Sequence, residues 1–147
     1  MFINKNKTLK DKNHSKQQWY IIDAKNKNLG RLSSKISHKL RGKDNPRYLP
    51  YEEKKINIIV INSKHIEITG NKRKQKLYIR HSGRPGGLKV KSFNKVQNDT
   101  PNKIIKQAVK GMLSKNSLGN KLLNKLKIYS DAKHPHNAQK PMLLDIN

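Results

Sequence analysis

Positive charge is the property that most constrains how this chain can fold. Its 147 residues include 34 Lys and Arg but only 9 Asp and Glu, which gives a formal net charge of +25. A compact domain of this size brings like charges close together, and their repulsion opposes folding even though water and salt weaken it. The basic residues run from one end of the chain to the other, so the charge is not confined to a tail. Binding to a polyanion is the simplest way to reduce this repulsion, and a nucleic acid is the first partner to expect.

Apolar residues are scarce but grouped, and the grouping predicts a folded core. Hydrophobic residues make up 33% of the chain, and they occur in short blocks. A wholly disordered chain would lack such blocks. The length suits one domain. We expect a basic N-terminal extension over residues 1–18 and a single domain over 19–147, with a tail that lies extended over a surface from about residue 131. The sequence has no cysteine, which excludes disulfides and thiolate metal sites.

The first half of the chain alternates between strand and helix patterns. The aromatic and β-branched run 19–24 predicts a buried strand, and the nearly all-aliphatic run 56–61 predicts a second strand that is covered on both faces. Between these runs, apolar residues spaced three to four apart over 29–40 predict a helix. Gly42 is a natural end for that helix.

Further strands are predicted in the second half. Residues 77–79 predict a third strand that leads directly into a glycine-rich loop, and residues 127–130 predict a short fourth strand. The segment 66–70 is ambiguous between strand and turn. Residues 71–76 form a basic run, which by itself predicts a turn with a solvated face.

Two helices are predicted between the third and fourth strands. Thr100 as N-cap and Pro101 as first helical residue are typical of a helix start. Apolar residues keep helical spacing over 104–113 and again over 118–126. The order of strands and helices is typical of βαβ units, so the pattern predicts an α/β fold with a parallel sheet and helices on its faces.

The glycine-rich basic loop from residue 80 to residue 89 is the strongest candidate for binding chemistry. Glycines allow a backbone to approach a ligand closely and to adopt positive φ, and amides exposed in such turns bind anions. Arg80, Arg84 and Lys89 add charge. The alternatives are a loop that grips phosphate and a tight surface loop with incidental charge, and the charge of the whole chain favours the first. The glycine spacing differs from that of nucleotide-hydrolysing phosphate loops.

Histidines in the tail raise the question of a metal site, which the spacing disfavours. His134 and His136 flank a proline, so no helix sets their geometry, and the chain has no thiolate that could join them as a ligand. We expect these imidazoles to stack or hydrogen-bond on RNA, or to lie in a loop. Trp19 and Tyr20 could stack on bases, but their apolar strand favours a place in the core.

An enzyme is the main rival hypothesis. An α/β protein that uses a nucleotide or modifies RNA would hold a cofactor phosphate in the loop 83–89. The carboxylates are scattered, Asp23 has no acid or base partner in sequence, and Ser33 lies in a predicted helix without a nucleophile motif. We therefore expect no catalysis, no cofactor and no small-molecule substrate. Binding to an anionic membrane is disfavoured because the apolar stripes are needed for a core.

Several segments, taken together in their order and at their intervals, resemble one known family. The segments are Trp19-Tyr20 with Asp23-Ala24, Leu29-Gly30-Arg31-Leu32, Leu40-Arg41-Gly42-Lys43, Thr69-Gly70-Asn71-Lys72, His81-Ser82-Gly83 with Gly86-Gly87, Ala108-Val109-Lys110-Gly111-Met112-Leu113, Leu118-Gly119, Leu126-Lys127-Ile128-Tyr129, and His134-Pro135-His136 with Gln139-Lys140-Pro141. Over about residues 19–146 the chain is similar to the ribosomal protein L-thirteen family in its bacterial or organellar form. The block 109–113 together with the His-Pro-His tail is the most specific part. Ser114 departs from the family, which usually has proline there, and this departure predicts a less sharply stopped helix.

The resemblance implies a fold, a partner and a location. The fold is a three-layer α/β/α arrangement on a four-stranded parallel sheet, with basic N- and C-terminal extensions. The partners are large-subunit ribosomal RNA and neighbouring ribosomal proteins, and the role is structural, in subunit assembly and translation, within a plastid stroma or a bacterial cytoplasm. The residues expected to contact RNA are Lys43, Lys72, Arg73, Lys74, Lys76, Arg80, His81, Gly83, Arg84, Gly86, Gly87, Lys89, Lys110, His134, His136 and Lys140.

Overall fold

The computed structural model describes residues 17–46 and 48–145. Almost all of the expected N-terminal extension lies outside these ranges, and its last residue belongs to the first strand. In chain order the elements are β1 (Gln18–Asp23), α1 (Leu29–Arg41), β2 (Ile56–Ile61), a 3₁₀ turn (Ser63–His65), α2 (Lys72–Gln75), β3 (Leu77–His81), β4 (Leu88–Ser92), α3 (Phe93–Asp99), α4 (Pro101–Met112), α5 (Ser117–Asn124), β5 (Leu126–Ile128), a second 3₁₀ turn (Asn137–Gln139) and β6 (Met142–Leu143).

A four-stranded parallel sheet forms the centre, which confirms the predicted α/β class. Its strand order is β5-β2-β1-β6, and every pair in it is parallel. The strand predicted at 77–79 is β3, but it does not belong to this sheet. It pairs antiparallel with β4 instead, in a separate two-stranded hairpin, because the short loop between the two strands lets them pair locally.

The fourth strand of the sheet comes from the segment that the sequence predicted to lie extended as a tail. In β6, Met142 pairs with Tyr20 of β1, and the Leu144 N–H donates to the Ile21 carbonyl oxygen at 2.9 Å. Met142 and Leu143 remain 52% and 68% exposed. Main-chain hydrogen bonds rather than apolar burial therefore hold this strand, and no periodicity in the sequence reveals it.

Helices cover one face of the sheet. Ile22 of β1 and Ile58 of β2 are 1% and 0% exposed, and they belong to one core cluster with apolar side chains of α1, α3, α4 and α5. The α1 helix begins where the Asn28 side chain accepts the Gly30 N–H, and it ends at Gly42 with φ 71°. The predicted helix end at Gly42 is thus confirmed, since a positive φ favours glycine.

The start of α4 is partly as predicted and its end is not. Pro101 is the first helical residue and Thr100 the N-cap, but among the described residues the Thr100 side chain makes no capping hydrogen bond. The helix stops at Met112 although Ser114 replaces proline. Leu113 adopts an extended conformation and is 5% exposed, so its burial in the core turns the chain out of the helix.

The C-terminal segment covers the other face and supplies the third layer. Ile58 and Val60 of β2 face the helices. Because side chains alternate along a strand, Ile59 between them points to the opposite face, where it is 0% exposed. The chain crosses this face on its way from β5 at one edge of the sheet to β6 at the other. The ring centroids of Trp19 and His136 lie 5.2 Å apart on this side.

Candidate nucleic-acid interface

The β3–β4 hairpin has two chemically different faces. Arg80 is paired with Lys89, and Ile79 with Val90. Because side chains alternate along a strand and paired residues share a face, cations and aliphatic residues lie on opposite faces. We call Arg80, Lys89 and Lys91 the basic face of the hairpin. The apolar face consists of Leu77, Ile79, Leu88 and Val90.

Tyr78 anchors the hairpin to the core at the base of its basic face. Its side chain is 8% exposed, and its ring centroid lies 6.5 Å from that of the fully buried Phe93 in α3. Burial raises the pKa of the Tyr78 hydroxyl. The Lys76 ammonium lies 5.6 Å from the Tyr78 ring centroid, and the Phe93 N–H donates to the Lys76 carbonyl oxygen at 3.0 Å. The base of the hairpin is therefore fixed, while its strands leave the core.

The exposure of the apolar face shows how far the hairpin leaves the core. Ile79 is 63% exposed and Val90 is 49% exposed. The run Leu77-Tyr78-Ile79 predicted a strand correctly, but only Tyr78 of these three side chains is buried in the described structure. The hairpin therefore offers both of its faces to solvent beyond its base.

The loop between the two strands is a tight, internally bonded turn. The Gly87 N–H donates to the Arg84 carbonyl oxygen at 3.0 Å, and the Gly83 N–H donates to His81 Nδ1 at 2.9 Å. Arg84 is exposed at the turn itself. These bonds hold one loop conformation, so the guanidinium is presented from a defined position.

The three loop glycines have different reasons to be glycine. Gly83 and Gly86 have φ values of 85° and 70°, and a Cβ built on either would meet no heavy atom within 4 Å. Backbone conformation therefore requires glycine there, and the open space allows a ligand to approach. At Gly87 a Cβ would overlap the Ser82 Oγ and lie 2.9 Å from the Arg84 carbonyl oxygen. The packing of the loop itself requires this third glycine.

The basic run before the hairpin is a single helical turn, α2, rather than an irregular turn. Lys72, Arg73 and Lys74 are exposed on it, and Lys76 joins it directly to β3. The Lys76 N–H donates to the Lys72 carbonyl oxygen at 2.9 Å. The predicted basic run and the predicted basic loop therefore lie at the two ends of β3, and we call α2, the loop and the basic face of the hairpin together the basic surface.

Ion pairing leaves the centre of this surface uncompensated. Lys91 Nζ lies 3.3 Å from the Asp99 carboxylate at one end of the basic face. Among the described residues, Arg80, Arg84 and Lys89 take part in no ion pair. Because these three cations protrude into solvent beside exposed backbone, an approaching anion can reach them without breaking an existing pair.

Three other lysines of the expected RNA-binding set lie on separate elements. Lys43 follows the end of α1, and its N–H donates to the His38 carbonyl oxygen at 3.1 Å. Lys110 is exposed on α4, and Lys140 ends the second 3₁₀ turn with φ 43°. The structure does not bring these lysines into the hairpin surface.

The two tail histidines lie in an internal cluster. The Tyr129 hydroxyl and His136 Nε2 are 2.8 Å apart, and the His136 N–H donates to His134 Nδ1 at 3.3 Å. With Trp19 against the His136 ring, these contacts tie the tail to the sheet. Both histidines remain half-buried, and their contact with RNA stays a prediction.

The sequence did not single out most of the lysines on α4. Only Lys110 was expected to bind RNA, from its place in a motif. Lys103 and Lys106 are also exposed on this helix. Lys103, Lys106 and Lys110 follow one another at intervals of three and four residues, which places them on one side of the helix. That helical spacing was the available sequence signal.

Metal ligands and membrane spans were also sought within residues 17–46 and 48–145. No three His, Asp or Glu side chains of these residues come together in a way that could hold a metal ion. None of the helices formed by these residues combines the length and the hydropathy needed to cross a membrane.

Comparison with known proteins identifies the family to which this chain belongs. The family model for ribosomal protein L13 matches residues 17–135. The large ribosomal subunit protein uL13c of Pyropia yezoensis is 55% identical over 136 residues, which cover 92% of this chain and 96% of that protein. The large ribosomal subunit protein uL13 of the bacterium Gloeothece citriformis is 54% identical over 131 residues, with 89% and 87% of the two chains covered. The chain therefore belongs to the ribosomal protein L13 family.

Proposed function

We propose that this protein is a structural constituent of the large ribosomal subunit, and that it binds the ribosomal RNA through α2, the glycine loop and the basic face of the hairpin. Its relatives carry the names of large-subunit proteins from both plastids and cyanobacteria, so its ribosome is that of a plastid or a bacterium. Contacts with neighbouring ribosomal proteins, a part in subunit assembly and support of translation belong to the same proposal.

The observation that carries the proposal is the set of unpaired cations on the hairpin. Arg80, Arg84 and Lys89 are exposed on a narrow hairpin, and its loop has open space beside Gly83 and Gly86. A-form RNA offers phosphates and a wide, shallow minor groove. Long cationic side chains reach such phosphates, and a narrow hairpin can follow a groove. Aromatic residues make up only 5% of the chain, which favours recognition of shape and charge over stacking on unpaired bases.

The described residues give little support to the enzyme hypothesis. Asp23, the carboxylate considered as a base, accepts hydrogen bonds from the Lys25 N–H and from the Asn62 side-chain amide, both at 2.9 Å. These two hydrogen bonds stabilise the turn after β1. The glycine loop contains cations and backbone amides but no Asp or Glu between residues 80 and 89, so it suits anion binding.

A charge-removal experiment tests the proposal. We expect the triple variant Arg80→Gln, Arg84→Gln, Lys89→Gln to bind large-subunit ribosomal RNA at least about tenfold more weakly at about 150 mM salt, because up to three phosphate contacts are lost. The slope of log affinity against log salt should become shallower by about 2 to 3, since each contact contributes roughly 0.7 to 0.9. Filter binding at several salt concentrations measures both quantities.

A matched variant separates the site from the total charge. Lys25, Lys55 and Lys133 are exposed on other elements, and replacing all three by Gln removes the same charge. We expect this control to change the slope by less than half as much as the hairpin variant. Equal losses in the two variants, with both folded by circular dichroism, would contradict the assignment of the hairpin.

A further inference from the structure

A groove runs between α4 on one side and α5 with β5 on the other. Two depressions make it up, one towards Gly111 and Lys115 and one towards Lys127 and Ser130. Both depressions share Lys103, Lys106, Leu123 and Asn124 in their linings. Because they share these walls, the two depressions form one continuous groove, which we call the α4–α5 groove.

Lysines line this groove along its whole length. Lys103, Lys106 and Lys110 follow one side of α4, and Lys115 and Lys127 lie towards the two ends. All five are exposed. A helix rises about 1.5 Å per residue, so the three lysines of α4 span roughly 10 Å along the groove. Their ammonium groups thus form a row rather than a single cluster.

Little negative charge opposes this row. The carboxylate on the described lining is that of Asp99, at the end near Lys103, and Asp99 already pairs with Lys91 of the hairpin at 3.3 Å. Among the described residues, the five lysines of the groove form no ion pair. The row therefore keeps its full charge for a ligand.

The surfaces between the lysines suit a sugar–phosphate backbone better than stacked bases. Leu123 and Leu126 lie on the lining beside the amides of Asn102, Gln107 and Asn124. The aromatic residue on the described lining is Tyr129, and its hydroxyl is engaged with His136. Base-reading sites for single strands use several stacking platforms, whereas a row of cations in a groove follows the backbone.

We propose that the α4–α5 groove binds the backbone of a second segment of large-subunit RNA, separate from the segment on the hairpin. This inference rests on the proposed function, because it assumes that ribosomal RNA is the partner. The helix α3 contacts β4 of the hairpin as well as α4, so packed structure connects the two surfaces. Through this connection the protein would hold two RNA segments at a fixed spacing.

Removal of the lysine row tests this second site. The quadruple variant Lys103→Gln, Lys106→Gln, Lys110→Gln, Lys115→Gln should bind large-subunit ribosomal RNA with a salt slope about 3 units shallower than the unsubstituted protein. The substitutions are exposed, and Gln has nearly the helix propensity of Lys, so the fold should persist. The thermal melting temperature of the variant checks this point.

Its control removes four lysines that lie outside the groove. Lys25, Lys55, Lys95 and Lys133 are exposed elsewhere, and their replacement by Gln should change the slope by less than half as much. If the groove variant behaves like this control while the hairpin triple variant loses affinity, the groove proposal is overturned and the proposed function stands. If the unsubstituted protein shows almost no salt dependence, the proposed function itself fails.

Crosslinking locates the RNA independently of charge. The chain has no cysteine, so Gln107→Cys places a unique thiol on the groove lining and Ser34→Cys places one on the exposed side of α1, away from both surfaces. With a short photoreactive maleimide on each thiol, the first variant should crosslink to ribosomal RNA at least about fivefold more than the second at about 150 mM salt. Equal crosslinking from both positions would also overturn the groove proposal.

Discussion

Two pairs of strands in this molecule both contain aliphatic residues, but they differ in what surrounds them. Ile58 of β2 is 0% exposed, whereas Ile79 of β3 is 63% exposed. The parallel pair β1–β2 needs a crossover through α1, and this helix covers the pair. The antiparallel pair β3–β4 needs only a loop, so no helix has to cover it. The comparison teaches that the connection between two strands decides whether a helix must cover them, and so whether their aliphatic side chains are buried.

The largest expected contrast is in the free energy of unfolding. Ile58→Ala leaves a cavity in the core and should cost about 2–5 kcal/mol. Ile79→Ala removes the same atoms from a solvent-exposed position and should change stability by about 0.5 kcal/mol or less. Urea unfolding followed by circular dichroism compares the two variants. Similar costs would show that the hairpin is as much part of the core as the sheet.

A second variant should reverse the contrast by harming binding more than folding. Gly87→Ala forces a Cβ against Ser82 and the Arg84 carbonyl oxygen, so the loop must change shape and Arg84 must move. We expect ribosomal RNA affinity to fall about three- to tenfold because one or two phosphate contacts are misplaced. The unfolding free energy should change by less than about 1 kcal/mol, since the loop lies outside the core. Unchanged affinity in filter binding would contradict a role for the loop conformation.

A smaller effect on stability is expected from the hydrogen bond between Tyr129 and the tail residue His136. Tyr129→Phe removes the hydrogen bond to His136 and should cost about 0.5–1.5 kcal/mol, because that bond is partly buried. The matched change Tyr20→Phe removes an exposed hydrogen bond to Gln18 and should cost less. Urea unfolding compares the two variants. A loss of similar size in both would show that the bond to His136 stabilises the fold no more than an exposed hydrogen bond does.

The smallest expected effect depends on pH and concerns the start of β2. The hydrogen bond from Lys125 holds the pKa of Glu53 below its ordinary value of 4.5, against the opposing effect of burial. Because the folded pKa is the lower one, the ionised carboxylate stabilises the fold above the ordinary pKa, and this contribution is lost as the pH falls through the folded value. Glu53→Gln should therefore cost at most about 1 kcal/mol at neutral pH, as for partly exposed ion pairs.

The pH dependence supplies the check on that pair. The difference in unfolding free energy between Glu53→Gln and the unsubstituted protein should shrink as the pH is lowered from 7 through 4.5 and beyond. Urea titrations at several pH values measure it. A difference that grows on acidification would show that the ion pair has the opposite sign of effect.

Strong local patterns explain which elements could be predicted from the sequence. The β1, α1 and β2 elements were predicted within one or two residues because burial on one or both faces leaves a period of 3.6 or an unbroken aliphatic run. In contrast, β6 escaped prediction because main-chain bonds to β1 hold it while its side chains are exposed. The location of β3 was also missed, since an alternating strand looks the same whether or not another layer covers its apolar face.

The candidate site was predicted in its parts and not in its arrangement. The residue types marked Arg84 and Lys89 as cations beside glycines, but only the register of β3 and β4 shows that cations and aliphatic residues occupy opposite faces. The sequence could not show that a Cβ at Gly87 would collide with its own loop. It also could not show that His136 pairs with Tyr129, because the two residues lie seven apart in a segment without helical or strand periodicity.

The salt dependence of RNA binding by the unsubstituted protein tests the central claim most directly. If the basic surface around Arg80, Arg84 and Lys89 neutralises about six phosphates, that surface alone should give the affinity for large-subunit ribosomal RNA a log–log slope of about −4 to −5 against salt, and the α4–α5 groove should make the slope about 3 units steeper. A slope close to zero, measured with protein that is fully folded, would contradict the account.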